Sequence, residues 1–322
     1  MGNVLIVKIM YHLRGDVNLS AYPFNWSKIQ SADEIDVGRH FEYDSDALEM
    51  FRRWFPLVED KIQVLEVGAG SGYFTGKLHH IYPNAEIICL EPDPELRAAL
   101  SIKFPDIKTI DVPLEELDLH DEFDVAVSHI VIHNLPKPLV AIERMKQAVQ
   151  KGGYVVCIEP ALGSRHFAPD KSVEEAFEIL WQYHVIMSKR RTEALGNPER
   201  GNPFYYSYPD FFEAINLVNI RCHGWYSVFT LSDPRFNFRE RKEWILRRRE
   251  LFEEQQPATT KILLESGMEL SKIEGAYQVL FDYFHTLEDA NEEQLSHIHE
   301  QKILSRCITI GQRSGLRFDE LQ

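Results

Sequence analysis

The sequence predicts an α/β fold in which helices cover both faces of a mainly parallel sheet. Short, fully apolar segments alternate with amphipathic ones between residues 44 and 160, as in repeated βαβ units. A glycine cluster, 68-GAGSG-72, follows the first apolar segment. After residue 160 the alternation stops, and long helical segments are interrupted by only two further strands. These observations predict one sheet domain with mainly helical insertions.

The elements of the alternating region follow from their apolar spacing. A helix is predicted from Asp44 to Trp54, with Asp44 or Ser45 as its N-cap. Further helices are expected after Gly72, from Asp93, and over 136–150, where 151-KGG-153 supplies the glycine typical of a helix end. The predicted strands cover 62–67, 85–91, 107–111, 123–128 and 154–159.

The region beyond residue 160 predicts two insertions into the sheet domain. A long helix is expected over 170–195 and a loop over 196–207, and the charged helical stretch 234–300 should break near Pro257 and Gly267. The strands within 218–231 and 302–311 should pair as the last two of the sheet. The predicted divisions are an N-terminal arm (1–43), a core (44–160), a helical lid (161–207), a core helix and strand (208–231), a helical insertion (232–301), and a last strand with a tail (302–322).

The charge balance bears on which partners the chain binds. The formal net charge is −15, which gives no general attraction to nucleic acid or an anionic membrane surface. The arginine-rich tract 239–249 alternates with glutamates and is interpreted as a solvated helix face. Nucleic acid is therefore an improbable partner.

Cysteine usage and the N-terminus indicate a cytoplasmic protein. None of the four cysteines forms a Cys-x-x-Cys pair, and all lie in strand-like segments, which predicts buried free thiols in a reducing compartment. The apolar stretch 1–13 is too short to span a membrane and is expected to be a strand or packing arm.

The glycine cluster and a downstream acid predict a nucleoside-binding site. Gly68, Gly70 and Gly72 let the backbone approach a ligand closely, and the helix that follows directs its free N–H groups at the same place. Glu91 ends the next strand, 19 positions after Gly72, where a carboxylate can accept hydrogen bonds from ribose hydroxyls. A purely structural turn at the glycines, and an N-capping role for Glu91 beside Asp93, stay open as alternatives.

The spacing of the glycines separates the classes of nucleotide site. A dinucleotide fingerprint needs a third glycine at position 73, which is Tyr73, and the chain has no Gly-Lys-Ser or Gly-Lys-Thr for a P-loop. The pattern is E-x-G-x-G-x-G, formed by Glu66 and the three glycines. It resembles the first motif of class I, Rossmann-like S-adenosylmethionine-dependent methyltransferases. The later stretches 123-FDVAVSHIVIHNLPKP-138 and 151-KGGYVVCIEP-160 are similar to the branch that acts on small molecules and quinone precursors.

The resemblance implies a seven-stranded sheet, S-adenosyl-L-methionine as cofactor and S-adenosyl-L-homocysteine as product. It also implies a set of cofactor-binding positions along the ends of the first four strands. These are Glu66, Gly68, Ala69, Gly70, Gly72, Tyr73, Phe74, Glu91, Pro92, Asp111, Val112, Ser128 and His129. For Asp111, Ser128 and His129 a structural role at the strand end is the open alternative.

Catalytic residues are harder to assign, since methyl transfer from a sulfonium needs a base only when the acceptor must lose a proton. His133 and His129 are the candidates for that role. Their spacing alone is weak evidence for zinc, and no metal is predicted.

The acceptor site is predicted from aromatic residues near the expected lid. Glu159, Trp181, Tyr205 and Tyr206, with His133, are the candidate substrate contacts. They favour an apolar, aromatic or cationic small molecule beneath a lid whose loop 196–207 moves; ordinary packing of these rings is the alternative. The apolar line Tyr277 to Leu287 should pack within the chain or, alternatively, form a homodimer surface.

Other functions stay open at the level of sequence. A protein or nucleic-acid methyltransferase is disfavoured by net acidity and by Ser128-His129-Ile130-Val131 where amino-methylating enzymes of nucleic acids carry an Asn-Pro-Pro motif. A module that binds the cofactor without catalysis is the alternative from another class, and a dinucleotide oxidoreductase is disfavoured by Tyr73.

Overall fold

The chain divides into two compact units. A computed structural model describes Ser27 and residues 32–39, 42–135, 137–161, 165–168, 170–194 and 207–315. The sheet unit contains the described residues from 27 to 161, 207–226 and 305–315. The helical unit contains the described residues from 165 to 194 and 227–304.

The elements alternate through the first half of the chain as predicted. The helices are α1 Ala32–Arg39, α2 Ser45–Trp54, α3 Tyr73–Ile81, α4 Pro94–Lys103, α5 Pro138–Ala148, α6 Lys171–Ala194, α7 Tyr208–Ala214, α8 Phe238–Glu265, α9 Leu270–Asp289 and α10 Glu292–Ser296. The strands are β1 Gln63–Val67, β2 Glu86–Leu90, β3 Lys108–Ile110, β4 Phe123–His129, β5 Val149–Pro160, β6 Arg165–Phe167, β7 Leu217–Thr230 and β8 Gln301–Arg313.

The sheet confirms the predicted Rossmann-like α/β class. Its strand order is β3-β2-β1-β4-β5-β8, and β7 also pairs with β8. β1 to β5 are parallel to their neighbours, whereas β8 runs antiparallel to β5. The three-residue β6 pairs with residues 301–303 of β8, so it adds a short strand to the seven expected. The carboxyl ends of β1, β2 and β4 therefore meet at one edge, where such sheets bind ligands.

Both faces of the sheet are buried, which explains its continuously apolar strands. Val64, Val125 and Val156 belong to the core that packs against α2 and α3. Leu65 and Ala126 face the second core, which packs against α5 and α7. A parallel sheet covered on both sides has no polar face, so its strands lose the alternation of a half-exposed sheet.

Helix starts in the sheet unit follow from capping side chains. The Asp44 carboxylate accepts a hydrogen bond from Ala47 N at 2.9 Å, as predicted for α2. The Asp93 carboxylate accepts from Glu95 N and Leu96 N, and Pro94 occupies the first position of α4. The start of α4 is thus fixed directly beside Glu91.

The helical unit packs α6, α8 and α9 around an aromatic core. Phe177, Phe252 and Phe284 lie with ring centroids 5.6–6.4 Å apart. Tyr277 and Leu280 of the predicted apolar line are buried in this unit, so the line packs within the chain. The prediction of a homodimer surface has no support from this face.

Two sequence predictions about element boundaries are wrong in this fold. α5 ends at Ala148, and the glycines 152 and 153 lie inside β5, because Val149 already adopts extended backbone and pairs with Phe123. α8 runs unbroken through Pro257, since buried residues on both sides of the proline hold the helix; the break falls at Gly267, where φ is +92°.

Two predictions about burial also need correction. Within the arginine-rich tract, Arg241 and Arg248 are buried. The Arg248 guanidinium pairs with Glu300 and lies 4.5 Å from the Phe177 ring centroid. The ion pair and the aromatic stacking make the burial of Arg248 tolerable. Among the free cysteines, Cys222 is exposed on β7.

Among the described residues, no helix is both long and apolar enough to cross a membrane.

Candidate functional site

The glycine loop is a left-handed turn between β1 and α3. Gly68 and Gly70 have φ values of +68° and +58°, which residues with a Cβ adopt at a cost. Gly68 N and Ala69 N donate to the carbonyl of Leu90 at 2.8 and 3.2 Å, which ties the loop to the end of β2. A Cβ on Gly68 would lie 2.5 Å from Val131 Cγ2, so the glycine also permits close approach of the turn after β4.

Glu91 joins the glycine loop to the start of α4. Its Oε2 accepts from Gly70 N at 2.7 Å and its Oε1 accepts from Asp93 N at 2.9 Å. Burial raises the pKa of Glu91 to about 7, although the two backbone hydrogen bonds oppose that shift. A carboxylate offers about four lone-pair sites, so two are left for a ligand.

Glu66, the first residue of the motif, lies beneath the loop. Its Oε2 accepts from Thr75 Oγ1 at 2.6 Å and from Cys89 Sγ at 3.4 Å. Burial raises the pKa of Glu66 to about 7. Its contacts join β1, β2 and α3, and a supporting role follows from them.

A cleft opens at the carboxyl ends of β1, β2 and β4. Residues of α1, the glycine loop, the start of α4 and the turn after β4 line it. Five of the predicted cofactor residues line it. They are Gly68, Gly70, Glu91, Pro92 and His129.

Other predicted cofactor positions lie around the cleft without lining it. Asp111 follows β3 with a side chain 72% exposed, and its carboxylate is 3.9 Å from Arg97. Val112 packs against the core of the α5 face, and Ser128 is buried in β4. Gly72 has φ +87° and faces Leu100, where a Cβ would lie 2.7 Å from the Leu100 side chain.

His129 is buried in the wall of the cleft at the end of β4. Phe74 stacks on its ring at a centroid distance of 4.4 Å, and Tyr43 Oη lies 2.8 Å from its Nε2. Tyr73 is 6.2 Å from the imidazole, centroid to centroid. Burial lowers the pKa of His129 to about 4, so the imidazole is neutral near pH 7.

His133, the other predicted catalytic histidine, is positioned differently. Its Nδ1 lies 2.6 Å from Glu159 Oε2, and both side chains are buried. The Glu159 Oε1 accepts from the backbone N–H groups of Val131 and Ile132 at 3.1 and 2.9 Å. Glu159 and His133 therefore brace the turn after β4, and neither lines the cleft.

Of the predicted aromatic substrate contacts, Trp181 is the one that lies within the described residues. Trp181 is an exposed residue of α6 in the helical unit, and its ring centroid is 4.6 Å from that of His184. Tyr205 and Tyr206 lie outside the described residues. Their roles stay predictions.

Sequence reasoning missed the contribution of α1, within the segment predicted as an N-terminal arm. Ile35 and Arg39 line the cleft. α1 is held on the glycine loop, because Ser71 Oγ donates to Asp36 Oδ1 at 2.8 Å and Tyr73 Oη donates to the Arg39 carbonyl. No local motif marks this helix; the acidic 32-ADEID-36 start was the only available signal.

The turn after β4 supplies further cleft residues that the sequence did not reveal. Ile130, Val131, Asn134 and Leu135 all line the cleft. Ile130 has φ +58°, a strained conformation for a β-branched residue, and its N–H donates to Ile158 O at 2.8 Å. Strain of this kind collects at ligand sites.

Comparison with known proteins agrees with this site. A family model described as a methyltransferase domain matches residues 65–157. The chain is 29% identical over 92 residues to a malonyl-[acyl-carrier protein] O-methyltransferase of Anoxybacillus flavithermus, which covers 28% of this chain and 36% of that protein. It is 30% identical over 112 residues to an uncharacterized methyltransferase of Schizosaccharomyces pombe, covering 31% of this chain and 40% of that protein. The matched region thus spans well under half of these relatives.

A solved structure aligns with much of the chain at low identity. The phosphoethanolamine N-methyltransferase 2 of Haemonchus contortus, in complex with S-adenosyl-L-methionine, is 11% identical with a TM-score of 0.48. The alignment covers 94% of this chain and 61% of that one. The family match, which agrees with the motif and the sheet order, identifies residues 65–157 as a methyltransferase domain.

Proposed function

We propose that this chain transfers a methyl group from S-adenosyl-L-methionine to a small-molecule acceptor. One observation carries the proposal: the Gly70 N–H and the Glu91 carboxylate meet 2.7 Å apart where β1 and β2 end. A backbone segment that a ligand can approach therefore lies next to a carboxylate that can accept hydrogen bonds from the hydroxyls of a ribose. Ligands of open α/β sheets bind at this edge, outside the carboxyl ends of the strands.

The residues present fit the cofactor. Glu91 has lone-pair sites left for two ribose hydroxyls, and a Cβ on Gly70 would meet no atom within 4 Å, so the wall there is open. Pro92, Leu96 and Leu114 supply apolar surface for a purine ring. His129 lines the cleft, and its buried Nδ1 has no hydrogen-bond partner among the described residues.

The chemistry divides simply between ligand and protein. When bound, the cofactor supplies an activated methyl group on a sulfonium. The chain holds the acceptor in line, keeps water out and accepts a proton where the acceptor has one to lose. His129 suits the last task better than His133 by location, because His129 lines the cleft and His133 does not.

The acceptor class is the finer part of the proposal. A small molecule is supported by the relative that is named a malonyl-[acyl-carrier protein] O-methyltransferase, so a malonyl thioester is one acceptor to test. The aromatic residues around 161–207 favour an apolar, aromatic or cationic molecule. A cytoplasmic location is part of the same proposal.

Calorimetric titration tests the cofactor directly. S-adenosylmethionine and S-adenosylhomocysteine should bind in the micromolar range, and NAD should not. Glu91→Ala should weaken binding on the order of 10²–10⁴-fold, since two hydrogen bonds to a charged group contribute about 1.5–3 kcal/mol each. Glu86→Ala is the matched control, because this exposed carboxylate lies at the other end of β2 and pairs with Lys108. A folded protein that binds neither sulfur nucleoside would refute the proposal.

Methyl transfer is measured separately with labelled cofactor. Incorporation into small-molecule extracts or a malonyl thioester supports the proposed acceptor class. Incorporation only into amino-acid side chains of proteins or into nucleic acid would support the second kind of methyltransferase instead. Tight cofactor binding with no transfer to any acceptor class would support a non-catalytic module.

A further inference from the structure

A buried ion pair lies near His129, and neither of its residues is among those that line the cleft. Glu42 and Arg306 are 1% and 8% exposed, and Arg306 Nε pairs with Glu42 Oε1. The Arg306 guanidinium also donates to the Ser305 carbonyl at 2.9 Å. Burying two charges is costly, so such a pair is weak evidence for stability and invites another explanation.

The ion pair faces one nitrogen of His129. Glu42 Oε1 is 3.9 Å from Nε2, the nitrogen that also lies 2.8 Å from Tyr43 Oη. Nδ1, on the other side of the ring, has no hydrogen-bond partner among the described residues. The two nitrogens of this imidazole therefore have opposite environments.

A neutral imidazole has one proton, and these surroundings decide where it resides. With the proton on Nδ1, Nε2 would accept from the Tyr43 hydroxyl with its lone pair 3.9 Å from the Glu42 carboxylate, and the buried Nδ1–H would lack an acceptor among the described residues. With the proton on Nε2, the N–H donates to the Tyr43 oxygen and points its positive end toward Glu42. The charge on Glu42 favours the second arrangement.

The neighbouring groups keep these charges in place near pH 7. Burial would raise the pKa of Glu42, but Arg306 beside it holds that pKa well below its usual value. Burial and the adjacent Glu42 raise the pKa of Tyr43 well above the ordinary value, so the phenol stays protonated. Arg39 and Tyr73 are the other titratable groups near His129; Arg39 opposes protonation of the ring and Tyr73 is neutral.

We propose that Glu42, held by Arg306, is a positioning residue that fixes the His129 proton on Nε2. The Nδ1 lone pair is then the one left to accept a hydrogen bond or a proton from a ligand in the cleft. Arg306 offsets the charge of Glu42, so the ring stays neutral instead of becoming an imidazolium. The role of Nδ1 toward the acceptor rests on the proposed function; the tautomer does not.

Nuclear magnetic resonance of protein labelled with ¹⁵N-histidine tests the proposal without any acceptor. Two-bond proton–nitrogen correlations distinguish the two tautomers, and His129→Gln assigns the signal by its loss. Wild-type protein should show the Nε2–H form in at least about tenfold excess. A predominant Nδ1–H form, or an imidazolium at pH 7, would overturn the proposal in the unmodified protein.

Two variants test the cause. Glu42→Gln should let both tautomers appear, whereas Glu300→Gln, the matched change in another buried glutamate paired with an arginine, should leave the His129 signal unchanged. Arg306→Gln should move the pH at which the His129 imidazolium appears upward, because Glu42 then acts on the ring without compensation. An unchanged tautomer and an unchanged titration in folded variants would show that the ion pair is purely structural.

The result is separable from the proposed function. Loss of S-adenosylhomocysteine binding in the wild type would refute the cofactor and leave the tautomer measurement intact. Normal cofactor binding with the wrong tautomer would refute only the role of Glu42.

Discussion

The glycine loop allows a quantitative prediction, because Gly68 and Gly70 are required for different reasons. Gly68→Ala places a methyl group 2.5 Å from Val131 Cγ2 at φ +68°. The left-handed backbone costs a residue with a Cβ about 1–2 kcal/mol, and overpacking of this kind costs about 1–3 kcal/mol. The free energy of unfolding should therefore fall by about 2–5 kcal/mol.

Two further variants separate these costs in urea denaturation. Gly267→Ala, at φ +92° with no atom within 4 Å of its Cβ, should show the backbone cost alone. Adding Val131→Ala to Gly68→Ala should recover the overpacking cost, measured as the coupling energy of a double-mutant cycle. The reasoning fails if Gly68→Ala costs no more than Gly267→Ala, or if Val131→Ala recovers nothing.

Gly70→Ala should behave in the opposite way. Its Cβ would meet no protein atom within 4 Å, so stability should fall only by the backbone cost seen for Gly267→Ala. Because Gly70 lines the cleft, the methyl group should reduce S-adenosylhomocysteine affinity at least about tenfold, or about 1.4 kcal/mol, in calorimetry. Unchanged affinity would place the ligand elsewhere.

Three further predictions concern burial, the turn after β4 and the lid. Burial raises the pKa of Glu66 in the folded chain, so the wild-type protein loses stability as the pH rises and this carboxyl group ionises. Glu66→Gln should therefore become more stable relative to wild type between about pH 5 and pH 8, by up to about 3 kcal/mol in urea unfolding. A difference in unfolding free energy that does not vary with pH would contradict the burial argument. Glu159→Ala should lower the free energy of unfolding by about 2–6 kcal/mol, because it leaves two backbone N–H groups without an acceptor. His133→Asn should change cofactor affinity less than about threefold. A larger loss of affinity in calorimetry would return His133 to the site. Deleting 196–207 should abolish acceptor turnover and leave cofactor binding intact, and surviving turnover would refute the lid.

The sequence predicted the parts of the fold that depend on local signals. Short apolar runs predicted β1 to β5, with a glycine cluster after the first, and Asp44 marked the start of α2 because capping is a short-range interaction. The proximity of Gly70 and Glu91 followed from strand order, since parallel neighbours end at one edge.

The remaining parts depend on contacts between distant residues. α1 is held over the glycine loop by Asp36 and Arg39, and nothing in its short, weakly apolar sequence indicates that location. Tyr43 could be placed in the core only once its hydroxyl was seen beside His129, 86 positions away. Pro257 was misjudged because tertiary packing outweighs a local helix-breaking tendency.

The pairing of Glu42 with Arg306 has a consequence for how the protein is made. The two residues are 264 positions apart, so a ribosome must add 264 residues after Glu42 before the pair can form. Contacts of such long range form late, because the intervening chain must first be ordered. The glycine loop and Glu91 are synthesised earlier, yet the surroundings of His129 are complete only after β8 has joined the sheet. The cleft wall around His129 should therefore be finished later in synthesis than the glycine loop.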